Sequence, residues 1–173
     1  IISSGISFQY FDTDCTLLLP EGRIIPETIS LYEQILLFHY LCGNKNGSAA
    51  DGAEDSRQWK SFKQLPNAAF YNPTYQKRGP ARILAEFADN PLRLPAAGEL
   101  LGGIKGIYGD SSVIIQPFPD ISAMVVIYSG DDEFPAETEI LYTPNIADIF
   151  PLEDIAVLAG IIASRLVKAA KGV

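Results

Sequence analysis

The stretch SSVIIQPFPDISAMVVIY, residues 111 to 128, decides the fold. Its two apolar runs, SSVIIQPF and ISAMVVIY, are bounded by the turn signal Pro-Phe-Pro-Asp, which predicts a β-hairpin. Apolar residues fill both sets of alternating positions in the second run, so the pattern predicts a central strand that is covered on both faces. ETEILY, residues 137 to 142, predicts the next strand. The acidic segment GDDEFPAE, residues 130 to 137, therefore falls in the loop between two strands.

The part of the chain that precedes this hairpin predicts a small meander followed by helices. SFQYF, CTLLL and LLLPEGRII are short strand-like runs separated by turn residues. We expect a helix from Pro26 to about Cys42, because proline suits the first helical position and Gly43 suits the end. Residues 43–56 are small and polar and predict a mobile connector, with a lid as the alternative. Residues 80–89 predict a short helix.

The C-terminal part predicts one long helix, from about Pro151 to Ala170. Its middle, IAVLAGIIA, is apolar all round, which is typical of a helix buried on most sides. We expect it to pack on the sheet, and a second copy of the chain to contact it around Ile161 and Ile162. The predicted fold class is α+β, an antiparallel sheet with hairpins packed by helices that include this apolar C-terminal helix. We expect residues 1–173 to form a single domain.

Composition narrows the class of protein. The chain has 173 residues, a hydrophobic fraction of 47% and a formal net charge of −8, so it is globular and acidic. The charge argues against nucleic-acid binding, which depends on clustered Lys and Arg. The most apolar run, Ile155 to Ala163, is too short to cross a bilayer, so we expect no membrane span. Only Cys15 and Cys42 are present, and they lack the pattern of a disulfide framework, which favours the cytoplasm.

Charges are unevenly distributed along the chain. From Arg57 to Lys105 there are eight Lys or Arg residues against three acids, and from Gly106 to Ser164 there are ten acids and no Lys or Arg. One interpretation is two complementary faces, of one fold or of two copies. The other is a basic groove for an anionic ligand, built around Lys77, Arg78 and Arg82.

His39 is the single histidine and lies in an otherwise apolar helical stripe. A hydrogen-bonded core residue is one interpretation. As a cofactor ligand, His39 would act as the single axial ligand of a heme or corrinoid, in a pocket shared with Tyr40 and Trp59. The metalloprotease motif needs two histidines, so the count of one histidine excludes it.

The acidic loop offers a second candidate site. Asp131, Asp132 and Glu133 are hard oxygen donors that suit a divalent cation, although their spacing does not match a calcium loop. The alternatives are a partner-docking surface and a solvated turn whose Asp side chains accept local N–H groups. In the solvated turn, we expect Phe134 to anchor the loop in the core.

Four segments carry a family resemblance: YEQILLFHYL, WKSFKQLPNAAFY, YSGDDEFPAETEILY and PLEDIAVLAGIIASRL. Taken in this order, over residues 32 to 168, they resemble an uncharacterised prokaryotic domain-of-unknown-function family common in anaerobes. The resemblance implies a link to a four-cysteine module of the iron–sulfur type, similar to one in corrinoid iron–sulfur proteins. This chain has only two cysteines, so the resemblance implies that a cluster would come from an iron–sulfur or corrinoid protein partner or from a missing N-terminal segment.

Three functional hypotheses follow. The first is a cytoplasmic ligand-binding or accessory protein for a metallocofactor-dependent system of an anaerobe. The second is a cation-dependent enzyme that uses the carboxylates of residues 130–137. The third is a structural subunit that forms a homo-oligomer through the C-terminal helix.

Overall fold

The structure, a computed structural model, describes residues 4–43 and 58–173. It confirms the α+β class, with antiparallel strands and packed helices. The connector predicted at residues 43–56 lies, apart from Gly43, outside the described residues. Within the described part of the chain, no helix combines the length and apolar character that crossing a bilayer requires. The single-domain organisation stays a prediction.

The first sheet confirms the predicted N-terminal meander. Its strands are β1 (Ser4–Tyr10), β2 (Thr13–Leu19) and β3 (Arg23–Ile25). They are antiparallel and follow each other in the order of the chain. Just after β1, the N–H of Phe11 donates to the carbonyl of Pro117 at 2.9 Å, which ties this sheet to the second one.

The second sheet is antiparallel and contains the predicted hairpin. Its strands are β4 (Lys60–Ser61), β5 (Ile104–Lys105), β6 (Ser111–Phe118), β7 (Ile121–Tyr128) and β8 (Glu137–Tyr142). Their order is β4-β8-β7-β6-β5, so β7 is the central strand. Every residue of β7 except Tyr128 is buried, which confirms the prediction of a strand covered on both faces.

The helices surround a long C-terminal helix. They are α1 (Leu31–Gly43), α2 (Ala68–Arg78), α3 (Pro80–Phe87), α4 (Arg93–Glu99), α5 (Ile146–Ile149) and α6 (Leu152–Ala169). Helix α6 contacts α1, α2, α3 and α4, and it shares one hydrophobic core with both sheets. The predicted bounds of the C-terminal helix, Pro151 and Ala170, are its two capping residues.

Two helical predictions need correction. Helix α1 begins at Leu31 rather than Pro26, because Ser30 and Glu33 form a capping box: the Glu33 N–H donates to Ser30 Oγ at 3.3 Å, and the Ser30 N–H donates to Glu33 Oε2 at 3.4 Å. Helices α2 and α4 were not predicted. Pro73 lies inside α2, and prolines ordinarily indicate a break in a helical pattern.

Candidate functional site

A groove of about 380 Å³ opens between the start of α1, the junction of α2 with α3, and α6. It brings together residues that lie far apart in the sequence. Its walls are mainly apolar, with several charged and hydroxyl side chains at the edges. The lining residues are Ser30, Tyr32, Glu33, Arg78, Arg82, Val157, Gly160, Ile161, Ser164 and Arg165.

The α2–α3 junction places two arginines on this groove. Gly79 separates the two helices and sits directly against α6, where a Cβ atom would lie 2.8 Å from Ala159 Cβ. This close approach brings the residues on either side of the junction to the same part of α6. Arg78 and Arg82 both reach Gly160: a Cβ at Gly160 would lie 3.6 Å from Arg78 Cβ, and Arg82 Nη1 donates to the Gly160 carbonyl at 3.3 Å.

Arg82 is hydrogen-bonded to α6 through neutral groups. Its Nη1 also donates to Ser164 Oγ at 2.9 Å, and Ser164 Oγ donates to the Gly160 carbonyl at 2.8 Å. These partners are neutral, and Arg82 forms no ion pair with any described residue. The guanidinium is thus oriented by the helix without being neutralised, which is a useful state for a residue that binds an anion.

Arg78 is less constrained than Arg82. Its side chain is partly buried at the end of α2. Among residues 4–43 and 58–173, its guanidinium has no hydrogen-bond or ion-pair partner. An unpaired guanidinium offers a planar fork of donors that suits a carboxylate or a phosphate.

Glu33 and Arg165 neutralise each other at the opposite edge of the groove. Arg165 Nη2 donates to Glu33 Oε1 at 3.1 Å, and Ser30 Oγ donates to Glu33 Oε2 at 2.7 Å. Burial acts to raise the pKa of Glu33, but the hydrogen bonds from Ser30 and Arg165 outweigh burial and lower the pKa below the usual glutamate range. The Glu33 carboxylate is therefore already satisfied.

Two aromatic rings, that of Tyr10 at the end of β1 and that of Phe11 just after it, pack against the guanidinium of Arg165. Its guanidinium lies 4.3 Å from the centroid of the Phe11 ring and 5.1 Å from that of Tyr10. Tyr10 is fully buried, and its hydroxyl donates to Glu33 Oε1 at 3.3 Å. Burial, with the nearby Glu33 charge, raises the pKa of Tyr10 far above its usual value. Arg165 is thus a structural clamp between sheet and helix.

The electrostatic balance of the groove is positive. Among the described residues, three arginines and one glutamate line it, a formal charge of +2 on a chain whose net charge is −8. Since Glu33 is paired with Arg165, the excess charge lies at Arg78 and Arg82. The prediction of a basic groove included Lys77 as well, but Lys77 is exposed and does not line this cavity. The arrangement can bind an anion through the two arginines.

His39 lies at the surface, beside the start of α6. Its side chain is 51% exposed, and its Nδ1 lies 2.7 Å from Asp154 Oδ2. Asp154 is in the first turn of α6 and is mostly buried. His39 does not line the groove, and its Nε2 has no hydrogen-bond partner among the described residues. The histidine is hydrogen-bonded, as one interpretation expected, but it is not part of the core.

The structure does not bring His39, Tyr40 and Trp59 into one pocket. Tyr40 is buried, stacks on Phe118 with ring centroids 4.2 Å apart, and donates to Asp120 Oδ2 at 2.9 Å. Trp59 packs on a separate small cluster that includes Met124 of β7. A cofactor pocket shared by these three residues has no geometric support, and cofactor binding by His39 stays a prediction.

The acidic loop between β7 and β8 is organised by Asp131. Its Oδ1 accepts the N–H groups of Glu133 at 2.8 Å and Phe134 at 2.7 Å, and these bonds lower the pKa of Asp131. In the described residues, no three His, Cys, Asp or Glu side chains are grouped to hold a metal ion. Cation binding by Asp131, Asp132 and Glu133 stays a prediction. The expectation that Phe134 anchors the loop is wrong, because its side chain is 68% exposed.

The proposed contact of α6 with a second copy also changes. Ile161 is 8% exposed and Ile162 is fully buried, both within a single chain. Ile162 is covered by this chain's own elements, and the small exposed part of Ile161 lines the groove, so neither residue offers a surface to a second copy. The oligomeric state itself stays a prediction. A charge at either position would test folding rather than assembly.

Sequence reasoning found part of the groove and missed the rest. The run of basic residues indicated Arg78 and Arg82. Glu33 could have been found from the capping-box spacing that it makes with Ser30. Nothing local indicated Arg165, because its partners lie on β1 and α1, more than a hundred residues away along the chain.

Comparison with known proteins gives one match. A family model described as Domain of unknown function (DUF3786) matches residues 2–165, a range that includes every lining residue of the groove. No curated protein and no solved structure matches the chain. The family description assigns no activity, so the functional argument depends on the groove.

Proposed function

Because the chain belongs to the domain-of-unknown-function family DUF3786, we propose its function from its own geometry: it binds a small anionic molecule in the groove between α1, the α2–α3 junction and α6. The observation that carries this proposal is Arg78. Arg78 lines the groove and its guanidinium has no partner among the described residues; Arg82 lines the same groove, and its charge is also not neutralised by a described residue.

A partly buried arginine is energetically unfavourable when its guanidinium has no hydrogen-bond or ion-pair partner. Removing a charged group from water costs free energy unless an opposite charge or hydrogen bonds replace the water. Glu33, the single acid among the described residues that line the groove, already binds Arg165, Ser30 and Tyr10. An anion from solution would supply what Arg78 lacks, which is why we assign the groove a binding role rather than a structural one.

The size of the groove supports a small ligand rather than a macromolecule. Its volume of about 380 Å³ falls at the lower end of the range for small-molecule sites, roughly 300–1,000 Å³. Such sites combine mostly apolar walls with a few placed polar groups, and the groove has this composition. The negative net charge of the rest of the chain disfavours extended anionic partners such as nucleic acid.

Thermal unfolding tests this proposal. Inorganic phosphate is the probe, and chloride at equal ionic strength corrects for general salt effects. A ligand that binds the folded state at ten times its dissociation constant stabilises it by about 1.4 kcal/mol. We expect phosphate to raise the melting temperature of the wild type and to lose this effect in Arg78→Ala.

Lys77→Ala is the matched control, since it removes a neighbouring positive charge that does not line the groove. We expect this variant to keep the response to phosphate. An equal response of wild type and Arg78→Ala would mean that phosphate acts elsewhere on the chain, and the proposal would fail.

A second candidate function is the accessory role for a metallocofactor-dependent system of an anaerobe. One observation favours it: a metal-ligating histidine usually donates its other ring N–H to a carboxylate, and His39 Nδ1 lies 2.7 Å from Asp154 Oδ2. With Nδ1 at this carboxylate, Nε2 is the nitrogen through which His39 would be the single axial ligand of a heme or corrinoid. The partner in this proposal is an iron–sulfur or corrinoid protein.

Absorption spectroscopy tests this second proposal. Purified protein is titrated with heme and, separately, with a corrinoid, and the Soret or corrinoid band is followed. We expect a ligation-dependent shift that disappears in His39→Ala and weakens in Asp154→Asn. Spectra that remain those of the free cofactors throughout the titration would remove this role.

A further inference from the structure

The groove combines charged and apolar surface. Arg78 and Arg82 meet α6 at Gly160. Val157 and Ile161 contribute apolar surface to the wall, and Tyr32, which is 53% exposed, contributes an aromatic ring at the start of α1. A ligand that fills the groove meets both the charged and the apolar part.

The hydroxyl groups of Ser30 and Ser164 offer no free proton to a bound anion. Ser164 Oγ donates to the Gly160 carbonyl at 2.8 Å, and Ser30 Oγ donates to Glu33 Oε2 at 2.7 Å. Each of these hydroxyl groups has one proton, and each proton is already used. The donors that remain for a ligand head group include those of Arg78, those of Arg82 that Ser164 and Gly160 do not use, and the hydroxyl of Tyr32.

The uncompensated charges that line the groove indicate the charge of the ligand's head group. Arg165 is neutralised by Glu33, whereas Arg78 and Arg82 have no acidic partner among the described residues. Two uncompensated guanidinium groups match a head group with two negative charges better than a monoanion, since a monoanion would leave one positive charge in the groove without a counterion.

We infer that the ligand is a dianion with an apolar body, whose head group binds between Arg78 and Arg82 and whose body lies along Val157, Ile161 and Tyr32. A phosphate monoester and a dicarboxylate share this chemistry. The inference rests on the proposed anion-binding function and narrows its ligand class. It assigns Arg165 to the wall of the groove and not to the head-group site.

Calorimetric titration with a matched set of probes tests the inference. Phenyl phosphate has two charges and a ring, inorganic phosphate has the charge without the ring, and benzoate has the ring with one charge. Phenylsuccinate replaces the phosphate by two carboxylates. We expect phenyl phosphate or phenylsuccinate to bind about tenfold more tightly than inorganic phosphate and than benzoate, which corresponds to one good charged contact or one buried apolar group.

Variants test where the head group and the apolar body of the ligand bind. Arg78→Ala should weaken phenyl phosphate by about tenfold or more, the loss of a charge-assisted contact, whereas Lys77→Ala should change it by less than about twofold. Val157→Thr keeps the shape of the side chain and replaces a methyl group by a hydroxyl. It should weaken phenyl phosphate and leave inorganic phosphate unchanged.

The outcomes separate this inference from the proposed function. Benzoate that binds as tightly as the tighter of phenyl phosphate and phenylsuccinate overturns the dianion, and inorganic phosphate that binds as tightly as that probe overturns the apolar body. In both cases Arg78-dependent binding leaves the anion-binding function intact. Absence of binding for all four probes, or binding that Arg78→Ala does not change, overturns both. The relative affinities of phenyl phosphate and phenylsuccinate identify the head group.

Discussion

Two glycines in helices are expected to respond in opposite ways to the same added methyl group. Gly98 lies in α4, where a Cβ atom would overlap Val113 Cγ2 and would lie 3.0 Å from Val113 Cβ and Cγ1. Val113 is fully buried on β6, so neither the strand nor the branched side chain has free space to move into. Gly160 lies in α6, where a Cβ atom would be 3.6 Å from Arg78 Cβ and from the Arg78 carbonyl, an ordinary contact distance.

The magnitudes follow from two opposing effects. Alanine is favoured over glycine inside a helix by roughly 0.5–1 kcal/mol, which applies to both positions. Overpacking a well-packed core typically costs about 1–3 kcal/mol, which applies to Gly98 alone. We therefore expect Gly160→Ala to raise the free energy of unfolding by up to about 1 kcal/mol and Gly98→Ala to lower it by about 1–2 kcal/mol.

Urea denaturation followed by circular dichroism measures both changes, provided that the m-value stays constant. A Gly98→Ala variant that is as stable as Gly160→Ala would show that α4 does not approach β6 as closely as described. A destabilised Gly160→Ala would show that Arg78 packs more tightly on α6 than the distances indicate. The groove would then be narrower beside Arg78.

Three further predictions concern titration and the His39 contact. The pKa of Glu33 is lowered in the folded state, so its stabilising effect is present above the usual glutamate pKa of 4.5 and is lost as the pH falls below that value; Glu33→Gln, which weakens the ion pair with Arg165, should flatten the acid limb of a stability–pH curve. Burial raises the pKa of Tyr75, so folded protein should keep this phenol protonated at pH values where exposed tyrosines ionise, and stability should fall as the pH rises above about 10; an ultraviolet titration in which all tyrosines ionise together without unfolding would contradict this. His39→Ala should lower the free energy of unfolding by about 1 kcal/mol, because Asp154 loses a hydrogen-bonded partner, and an unchanged value in urea denaturation would contradict that role.

The elements that the sequence predicted well are those with strong local patterns. The apolar alternation of residues 121–128 and the run of apolar residues in α6 gave both elements within a residue or two of their observed ends. Pro26 misplaced the start of α1, because proline fits a first helical turn but the capping box at Ser30 competes with it and determines the boundary. Helix α2 was missed because it contains Pro73 and little apolar periodicity.

The groove was only partly predictable because it forms between distant segments. Arg78 and Arg82 stood out as basic residues close together in sequence, which is a local signal. Whether an arginine is neutralised is not local: Arg165 and Glu33 are separated by 132 positions, and only folding shows that they pair. The same limit applies to His39, whose exposure and contact with Asp154 could not be inferred from the apolar stripe around it.

The most direct test of anion binding by Arg78 and Arg82 observes the signals of these two side chains while the anion is added. Arginine Nε–Hε signals are assigned by nuclear magnetic resonance in wild type and in Arg78→Lys, and phenyl phosphate is then added. We expect saturable shifts of the Arg78 and Arg82 signals with one dissociation constant, and a smaller response of Arg165. Saturable shifts confined to other arginines, or no saturable shift at Arg78, would contradict anion binding by this pair.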